Sequence, residues 1–179
     1  MLEVGVGETI KPLPRGPDLY TPEQRTRRDA TVWTTVQGVL APLQFLAFAF
    51  SLVFVINFLA NGTGYQAAVV SVLVKTGFLY TIMVTGAIWE KEVFGRYLFA
   101  PAFFWEDVVS MLVIALHTAY IASWFFDLQS PHGQMWLAIA AYVAYVINAA
   151  QFLLKLRAAR LAADDGLTLE EEYSAGWQQ

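Results

Sequence analysis

The sequence predicts an all-α, polytopic membrane protein: an antiparallel bundle of four transmembrane helices with both termini in the cytoplasm. Three observations lead to this prediction: the apolar composition, four long hydrophobic stretches and a one-sided distribution of basic residues. Of the 179 residues, 57% are hydrophobic and 15% are charged, whereas soluble domains carry roughly 45–50% apolar and 25% charged residues. The composition therefore argues against an ordinary cytosolic enzyme and against a disordered binding protein.

Four hydrophobic stretches define a predicted membrane domain over residues 31–161. They cover residues 32–60, 66–89, 102–126 and 134–156. Each stretch reaches the roughly 20 residues that a helix needs to cross a hydrocarbon core about 30 Å thick. The first is the longest, and Pro42 is the expected site of a bend in it.

Two polar segments flank the membrane domain. Residues 1–30 form a polar N-terminal segment, and its TPEQRTRRDA stretch predicts a short helix at the membrane surface. Thr21 can cap that helix, Pro22 suits its first position, and Gln24 completes a capping box. Residues 162–179 are acidic and predict a disordered tail.

Basic residues indicate the orientation of the helices. Ten of the eleven lysines and arginines lie before the first stretch, in the connector 90–101 or at the exit of the fourth stretch. The connectors 61–65 and 127–133 contain none. By the positive-inside rule, both termini and the middle connector are cytoplasmic.

Several classes of site are excluded by composition. The chain has no cysteine, two histidines and a net charge of −4. Thiol chemistry, cysteine-ligated metals and multi-histidine metal sites therefore have no ligands, and a nucleic-acid partner has no electrostatic support.

Lys75 is the eleventh basic residue and lies near the middle of the second stretch. A central lysine costs roughly 2.5–3.5 kcal/mol on insertion scales and normally faces the bundle interior with a partner. It is either a charge partner for a substrate or catalytic acid, or an ammonium group satisfied by carbonyls and hydroxyls such as Ser71.

Glu106 and Asp107 open the third stretch, between the apolar runs FFW and VVSMLV. Acids favour a helix N-terminus, but a desolvated acid here could keep its proton near neutral pH. His117 lies on the same helix face as Glu106 and Ser110. It could hydrogen-bond between helices, relay a proton or bind magnesium, whereas His132 is expected in a solvated loop.

Two weaker polar stripes lie on the first and fourth helices. The first contains Gln37, Gln44 and Ser51, and the second contains Asn148, Gln151 and Lys155. Hydrogen bonding between helices is the simplest explanation of both stripes.

The connector 90–101 combines charged and aromatic residues, which predicts a segment packed on the membrane surface. Arg96 in it is suited to bind a carboxylate in a bidentate manner. Aromatic residues such as Tyr97 and Trp105 form either an interfacial belt or a surface for a flat ring-shaped ligand.

The sequence between about Tyr20 and Leu161 resembles the 3-vinyl bacteriochlorophyllide hydratase family of bacteriochlorophyll biosynthesis. The resemblance is carried by YTPEQRTRRDA, VQGVLAPLQF, LYTIMVTGAIWEKEVFGRYLFAPAFFWEDVVSMLVIALHTAY and NAAQFLLKLRAARL. The third of these segments is long and contains unusual residue combinations.

This resemblance implies a lyase, a hydratase of chlorophyll and bacteriochlorophyll biosynthesis in photosynthesis. It would add water to the C3 vinyl group of a chlorophyllide or bacteriochlorophyllide and give a 1-hydroxyethyl group. It implies no cofactor, with magnesium present only in the chlorin substrate. The expected location is the bacterial inner, intracytoplasmic photosynthetic membrane, and expected partners are the tetrapyrrole, the lipid bilayer and other bacteriochlorophyll-synthesis enzymes.

Acid protonation of the vinyl group, followed by capture of the cation by water, requires an acid and a base. We expect Glu106 as the general acid, and Asp107 or Glu90 as the base that directs water. These roles are interchangeable on the sequence alone. His117 could contact the substrate magnesium or the vinyl region.

Substrate binding is assigned to four residues. Arg96 is the expected partner of the substrate propionate, and the other three are Lys75, Trp105 and Tyr97.

Two other functions remain open at this point. A non-catalytic pigment-binding membrane subunit would use His117 as its magnesium ligand and would leave the vinyl group unchanged. A quinone-binding or transport protein would bind no chlorin.

Overall fold

The computed structural model describes the backbone of residues 19–176 and the side chains of residues 19–161. This part of the chain contains five helices and no strand, which confirms the all-α prediction. They are α1 (Pro22–Ala30), α2 (Val32–Asn61), α3 (Tyr65–Phe94), α4 (Phe104–Phe125) and α5 (Pro131–Gly176).

Four of these helices are long and apolar enough to cross a bilayer: α2, α3, α4 and the Pro131–Leu161 part of α5. Large apolar side chains cover their outer surface, among them Phe50 (67% exposed) and Leu153 (68% exposed). Such a surface suits lipid as its solvent. The four helices fit the expected membrane helical bundle.

Helix α1 forms as its capping signals predict. The side chain of Thr21 accepts a hydrogen bond from the Gln24 backbone N–H, and the Gln24 side chain completes the capping box. The ring of the buried Tyr20 stacks on Phe94, with 5.7 Å between ring centroids. Burial raises the pKa of the Tyr20 hydroxyl, and the neighbouring Arg28 acts in the opposite direction. Residues 1–18 of the predicted N-terminal segment lie outside the described residues.

The ends of α3 and α5 differ from the predicted boundaries. Helix α3 continues past residue 89 to Phe94, where Gly95, with a left-handed φ of 81°, caps and terminates it. Glu90 is therefore a helical residue and is not part of a connector. Helix α5 begins at Pro131, a residue suited to a first turn, and its backbone is helical to Gly176. The sequence predicted a disordered tail from residue 162, but this segment is rich in helix-forming residues and contains no proline.

Polar contacts join α2 to α3. Thr34 and Gln37, early in α2, bond the α3 side chains of Trp89 (2.9 Å) and Thr85 (2.7 Å). Helix α4 packs mainly on α5, and α3 meets α4 through fewer contacts. The fold is thus two helix pairs, α2 with α3 and α4 with α5, placed side by side.

The buried side of α4 is polar. Its seven buried residues are Glu106, Asp107, Ser110, Val113, His117, Tyr120 and Ser123, and five of them have polar or charged side chains. Polar groups in a membrane helix normally turn away from lipid, toward partners inside the bundle. This inward polar face brings the chemically active groups together.

Candidate active site

Two buried carboxyl groups meet where α3 ends and α4 begins. Glu90 is 5% exposed and Asp107 is 3% exposed, and the two carboxyl groups are neighbours at the connector between α3 and α4, which bonds both of them. Two neighbouring buried anions would repel each other, so a proton on one of the two carboxyl groups would stabilise the pair. Such a pair combines a proton donor and a proton acceptor at one place.

Backbone N–H groups of the α3–α4 connector hold the carboxyl pair. The Phe99 N–H donates to Asp107 Oδ2 at 2.7 Å, and the Ala100 N–H donates to Glu90 Oε2 at 3.2 Å. Phe99 has a φ of 58°, a left-handed conformation that costs an ordinary residue about 1–2 kcal/mol. The hydrogen bond to Asp107 helps to hold Phe99 in this conformation.

Glu106 points to a different neighbour. Its Oε2 lies 2.7 Å from the ammonium nitrogen of Lys155 on α5. The Asn148 side chain, also on α5, donates to the Glu106 carbonyl oxygen at 2.8 Å and to Ser110 Oγ at 2.9 Å. This distance is that of an ion pair between an ammonium group and a carboxylate. Glu106 thus faces α5, while the neighbouring Asp107 faces α3.

An aromatic cluster lies beside these acids. The Phe103 ring is 2% exposed, stacks on Phe152 with centroids 5.7 Å apart, and meets Trp89 at 5.8 Å. The ammonium nitrogen of Lys155 lies 5.2 Å from the centroid of the Phe103 ring. This cluster places the acids beside an apolar region, where electrostatic interactions are stronger than in water.

Three of the predicted substrate-binding residues lie on the outer surface, two in the connector and one, Trp105, in the first turn of α4. Tyr97 is 61% exposed and Trp105 is 68% exposed, and Arg96 is exposed beside Tyr97. The rings of Phe99 and Phe104 lie between them along the chain, with centroids 5.8 Å apart. The connector therefore presents backbone N–H groups to the acids and aromatic rings to the outside.

Lys75 and His117 form a separate cluster deep in the bundle. Lys75 Nζ lies 2.7 Å from His117 Nε2, and His117 Nδ1 lies 2.8 Å from the Val113 carbonyl oxygen. The Lys75 ammonium also lies 4.2 Å from the centroid of the Tyr145 ring. With both ring nitrogens of His117 engaged, this geometry offers no free nitrogen to a magnesium ion. The cluster is about 16 Å along α4 from Glu106.

The sequence left two features of the site without a role. Lys155 belonged to a polar stripe attributed to interhelical bonding, and its proximity to Glu106 comes from the packing of α5 on α4. The N–H groups of Phe99 and Ala100 carry no side-chain signal. In the described residues, no group of three or more His, Asp or Glu side chains could hold a metal ion.

Comparison with known proteins identifies the family. Residues 20–158 match the family model described as 2-vinyl bacteriochlorophyllide hydratase. The chain belongs to this family. This is the family that the sequence resembles, because the 2-vinyl and 3-vinyl names differ only in wording.

Two relatives named 2-vinyl bacteriochlorophyllide hydratase support the assignment. The Rhodobacter capsulatus protein is 65% identical over 156 residues, which cover 86% of this chain and 91% of the relative. The Cereibacter sphaeroides protein is 69% identical over 144 residues, which cover 80% of this chain and 89% of the relative. No solved structure matches the chain. Membership of this hydratase family confirms the expected class of enzyme, a hydro-lyase of bacteriochlorophyll biosynthesis.

Proposed function

We propose that this chain adds water to the C3 vinyl group of a chlorophyllide-type tetrapyrrole, and that Glu90 and Asp107 act together as acid and base. The relatives' names supply the reaction class. The observation that supports the residue assignment is a pair of neighbouring buried carboxyl groups, each of which accepts a hydrogen bond from a backbone N–H group of the same connector. A paired acid and base is what hydration of an alkene requires.

The proposed reaction proceeds in two steps. The protonated carboxyl group transfers its proton to the terminal vinyl carbon, so a C–H bond forms and the π bond breaks. The resulting cation on the inner carbon is delocalised over the conjugated macrocycle. Water then forms a C–O bond to that carbon, and the ionised carboxyl group accepts the proton that water releases.

The carboxyl pair needs no external proton. One carboxyl group gives its proton to the terminal vinyl carbon, and the other gains a proton from the attacking water, so the pair begins and ends the reaction with one proton. Rearrangement of the proton within the pair restores the starting state. Addition of water is redox-neutral, so we propose no redox cofactor, and magnesium takes part only as a component of the chlorin.

This proposal moves the acid role away from Glu106. The sequence assigned Glu106 as the proton donor, but a carboxylate paired with Lys155 at 2.7 Å has no proton to give. Glu106 instead fixes the start of α4 against α5, which positions Asp107 toward Glu90.

Substrate binding is proposed on the outer side of the connector. The macrocycle would lie against Tyr97 and Trp105, with its propionate on Arg96. Because the carboxyl pair is buried under Phe99 and Ala100, the vinyl group reaches it when this connector moves aside. Gly95, at a φ of 81°, provides a point about which the connector can rotate.

We also propose an antiparallel bundle with its termini and the carboxyl pair at the cytoplasmic side of a bacterial photosynthetic membrane. Three contacts between α2 and α5 support the antiparallel order. Phe58 meets His132, Ser51 meets Tyr142, and Phe48 meets Tyr145. The basic residues at one end of the helices support the orientation.

Turnover tests the proposed function directly. Membranes that contain this protein are incubated with 3-vinyl chlorophyllide in H₂¹⁸O, and the pigment mass is measured. We expect a gain of one labelled water, together with loss of the vinyl group. A pigment that is retained with its mass unchanged would instead indicate a binding subunit and contradict the proposal.

A further inference from the structure

The polar interior extends well beyond the carboxyl pair. From Glu106 to Ser123, the inward polar face of α4 covers about 25 Å of helix, most of the roughly 30 Å of a hydrocarbon core. Contacts between membrane helices are usually made by small residues with a few polar groups. A polar face of this length requires hydrogen-bond partners along the whole bundle.

Four buried atoms along this interior have no partner among the described residues. They are Tyr120 OH, Ser123 Oγ, Gln44 Oε1 and Gln151 Oε1. Tyr120 is 0% exposed, Ser123 is 2% exposed and Gln44 is 3% exposed. Buried polar groups are nearly always bonded to protein or to ordered water, so each of these four atoms needs a partner that the described side chains do not supply.

Tyr120 and Ser123 lie on one face of α4, toward its end. The side-chain nitrogen of Gln134 donates to the Gln129 carbonyl oxygen at 3.2 Å and lies 3.5 Å from the Ser123 carbonyl oxygen. Tyr65 OH donates to Gln134 Oε1 at 2.6 Å. Gln129 is exposed in the α4–α5 connector. Polar groups therefore lead from that connector to the two unpartnered hydroxyls.

Gln44 and Gln151 lie at the other end. Ser51 on α2 bonds Tyr142 on α5, and Gln44 lies two turns before Ser51, about 10 Å along the helix. Because the α2–α5 contacts run in opposite directions along the two helices, Gln44 is level with Asn148, which bonds Ser110. Gln151 is one turn from Lys155, beside Glu106.

Lys75 and His117 lie between these two ends. Together the groups form an interior column, defined as Ser123, Tyr120, His117, Lys75, Ser110, Gln44 and Gln151. We propose that ordered water binds along this interior column and that the column supplies the water consumed at the carboxyl pair. The supply role rests on the proposed function, whereas the binding of water does not.

The proposed position of the substrate explains why water would reach the carboxyl pair through the interior column. A flat macrocycle on the outside of the connector covers the carboxyl pair from the cytoplasmic side. The interior then remains as the route by which a water molecule reaches the cation. Entry from the interior also keeps bulk water away from the cation until the proton has been transferred.

Radiolytic labelling tests the binding of water in the wild-type protein. X-ray pulses generate hydroxyl radicals from water, and buried side chains are oxidised when bound water lies next to them. Tyr142 is the matched control, because it is 2% exposed but its hydroxyl is bonded to Ser51. We expect Tyr120 to be labelled several-fold faster than Tyr142. Equal labelling of the two would overturn the proposal.

Hydration kinetics test the supply of water. The variants Tyr120→Phe and Gln44→Leu remove unpartnered polar atoms, while Tyr80→Phe is a control on a tyrosine that bonds Thr118 outside the column. We expect the column variants to lower kcat several-fold with KM for the chlorin unchanged, and the control to hydrate at the wild-type rate. Wild-type kcat in both column variants would refute the supply role.

These outcomes separate the two proposals. If Tyr120 is labelled quickly but wild-type protein hydrates no vinyl chlorophyllide, the proposed function fails and the water sites stand. If hydration proceeds but Tyr120 is labelled no faster than Tyr142, the proposed function stands and the water column is wrong.

Discussion

Replacing Lys155 with methionine tests the Glu106–Lys155 ion pair. The change keeps much of the side-chain length but removes the ammonium group that lies 2.7 Å from Glu106 Oε2. Loss of one partner costs about 3–5 kcal/mol in a buried pair and about 0–1 kcal/mol in an exposed pair. The Lys155 side chain is 29% exposed and that of Glu106 is 9% exposed, so the expected cost is intermediate, about 2 kcal/mol.

The expected cost corresponds to a roughly 30-fold change in the unfolding equilibrium. Equilibrium unfolding in detergent micelles, followed by tryptophan fluorescence, measures it. Glu106→Gln should destabilise the protein by a similar amount, and the double variant by less than the sum of the single variants, since it leaves no unpaired charge. Lys155→Arg is the matched control and should retain most of the stability. Additive effects of Lys155→Met and Glu106→Gln would refute the ion pair.

Three further predictions concern topology, substrate binding and the bundle interior. The chain has no native cysteine, so an impermeant thiol reagent added to intact cells should label Thr63→Cys but not Ala30→Cys. Labelling of Ala30→Cys without labelling of Thr63→Cys would contradict the cytoplasmic placement of the termini. Arg96→Gln should raise KM with kcat less affected, as expected for loss of uniform binding, and the effect should shrink when the substrate propionate is esterified; equal losses on both substrates would exclude this role. Lys75→Met should destabilise the protein in the same micelle assay, since His117 Nε2 loses its buried partner. The control Lys91→Met, at the exposed end of α3, should have little effect on stability. Equal effects of the two variants would show that Lys75 is not a structural partner.

The fold could be predicted from the sequence because the bilayer imposes simple rules on length and hydropathy. Four stretches long enough to span a membrane gave four helices, and the capping box at Thr21 gave α1. Helix ends were harder to predict. Charged residues at 90–92 suggested a connector, yet α3 continues to Phe94, because Glu90 turns inward and accepts a hydrogen bond from the Ala100 N–H.

The candidate site could be predicted only as a set of residues. The three acids Glu90, Glu106 and Asp107 were identified by their charge in apolar surroundings. Which of them lie together depends on two packing contacts that the sequence does not show. The connector brings Glu90 to Asp107, and α5 brings Lys155 to Glu106. Packing of α3 against α4 likewise brings Lys75 to His117, which the sequence placed on separate helices without a link.

Amide substitution of single carboxyl groups tests the central claim most directly. Glu90→Gln, Asp107→Asn and Glu106→Gln are inserted in equal amounts, and single-turnover hydration of 3-vinyl chlorophyllide is measured by mass. We predict losses of roughly 10²–10⁴-fold for Glu90→Gln and Asp107→Asn, the range typical of general acid–base catalysis, with pigment binding retained. Glu106→Gln should lose less than about tenfold, because its carboxylate transfers no proton in this mechanism. Normal hydration by Glu90→Gln and Asp107→Asn, with an inactive Glu106→Gln, would contradict the account.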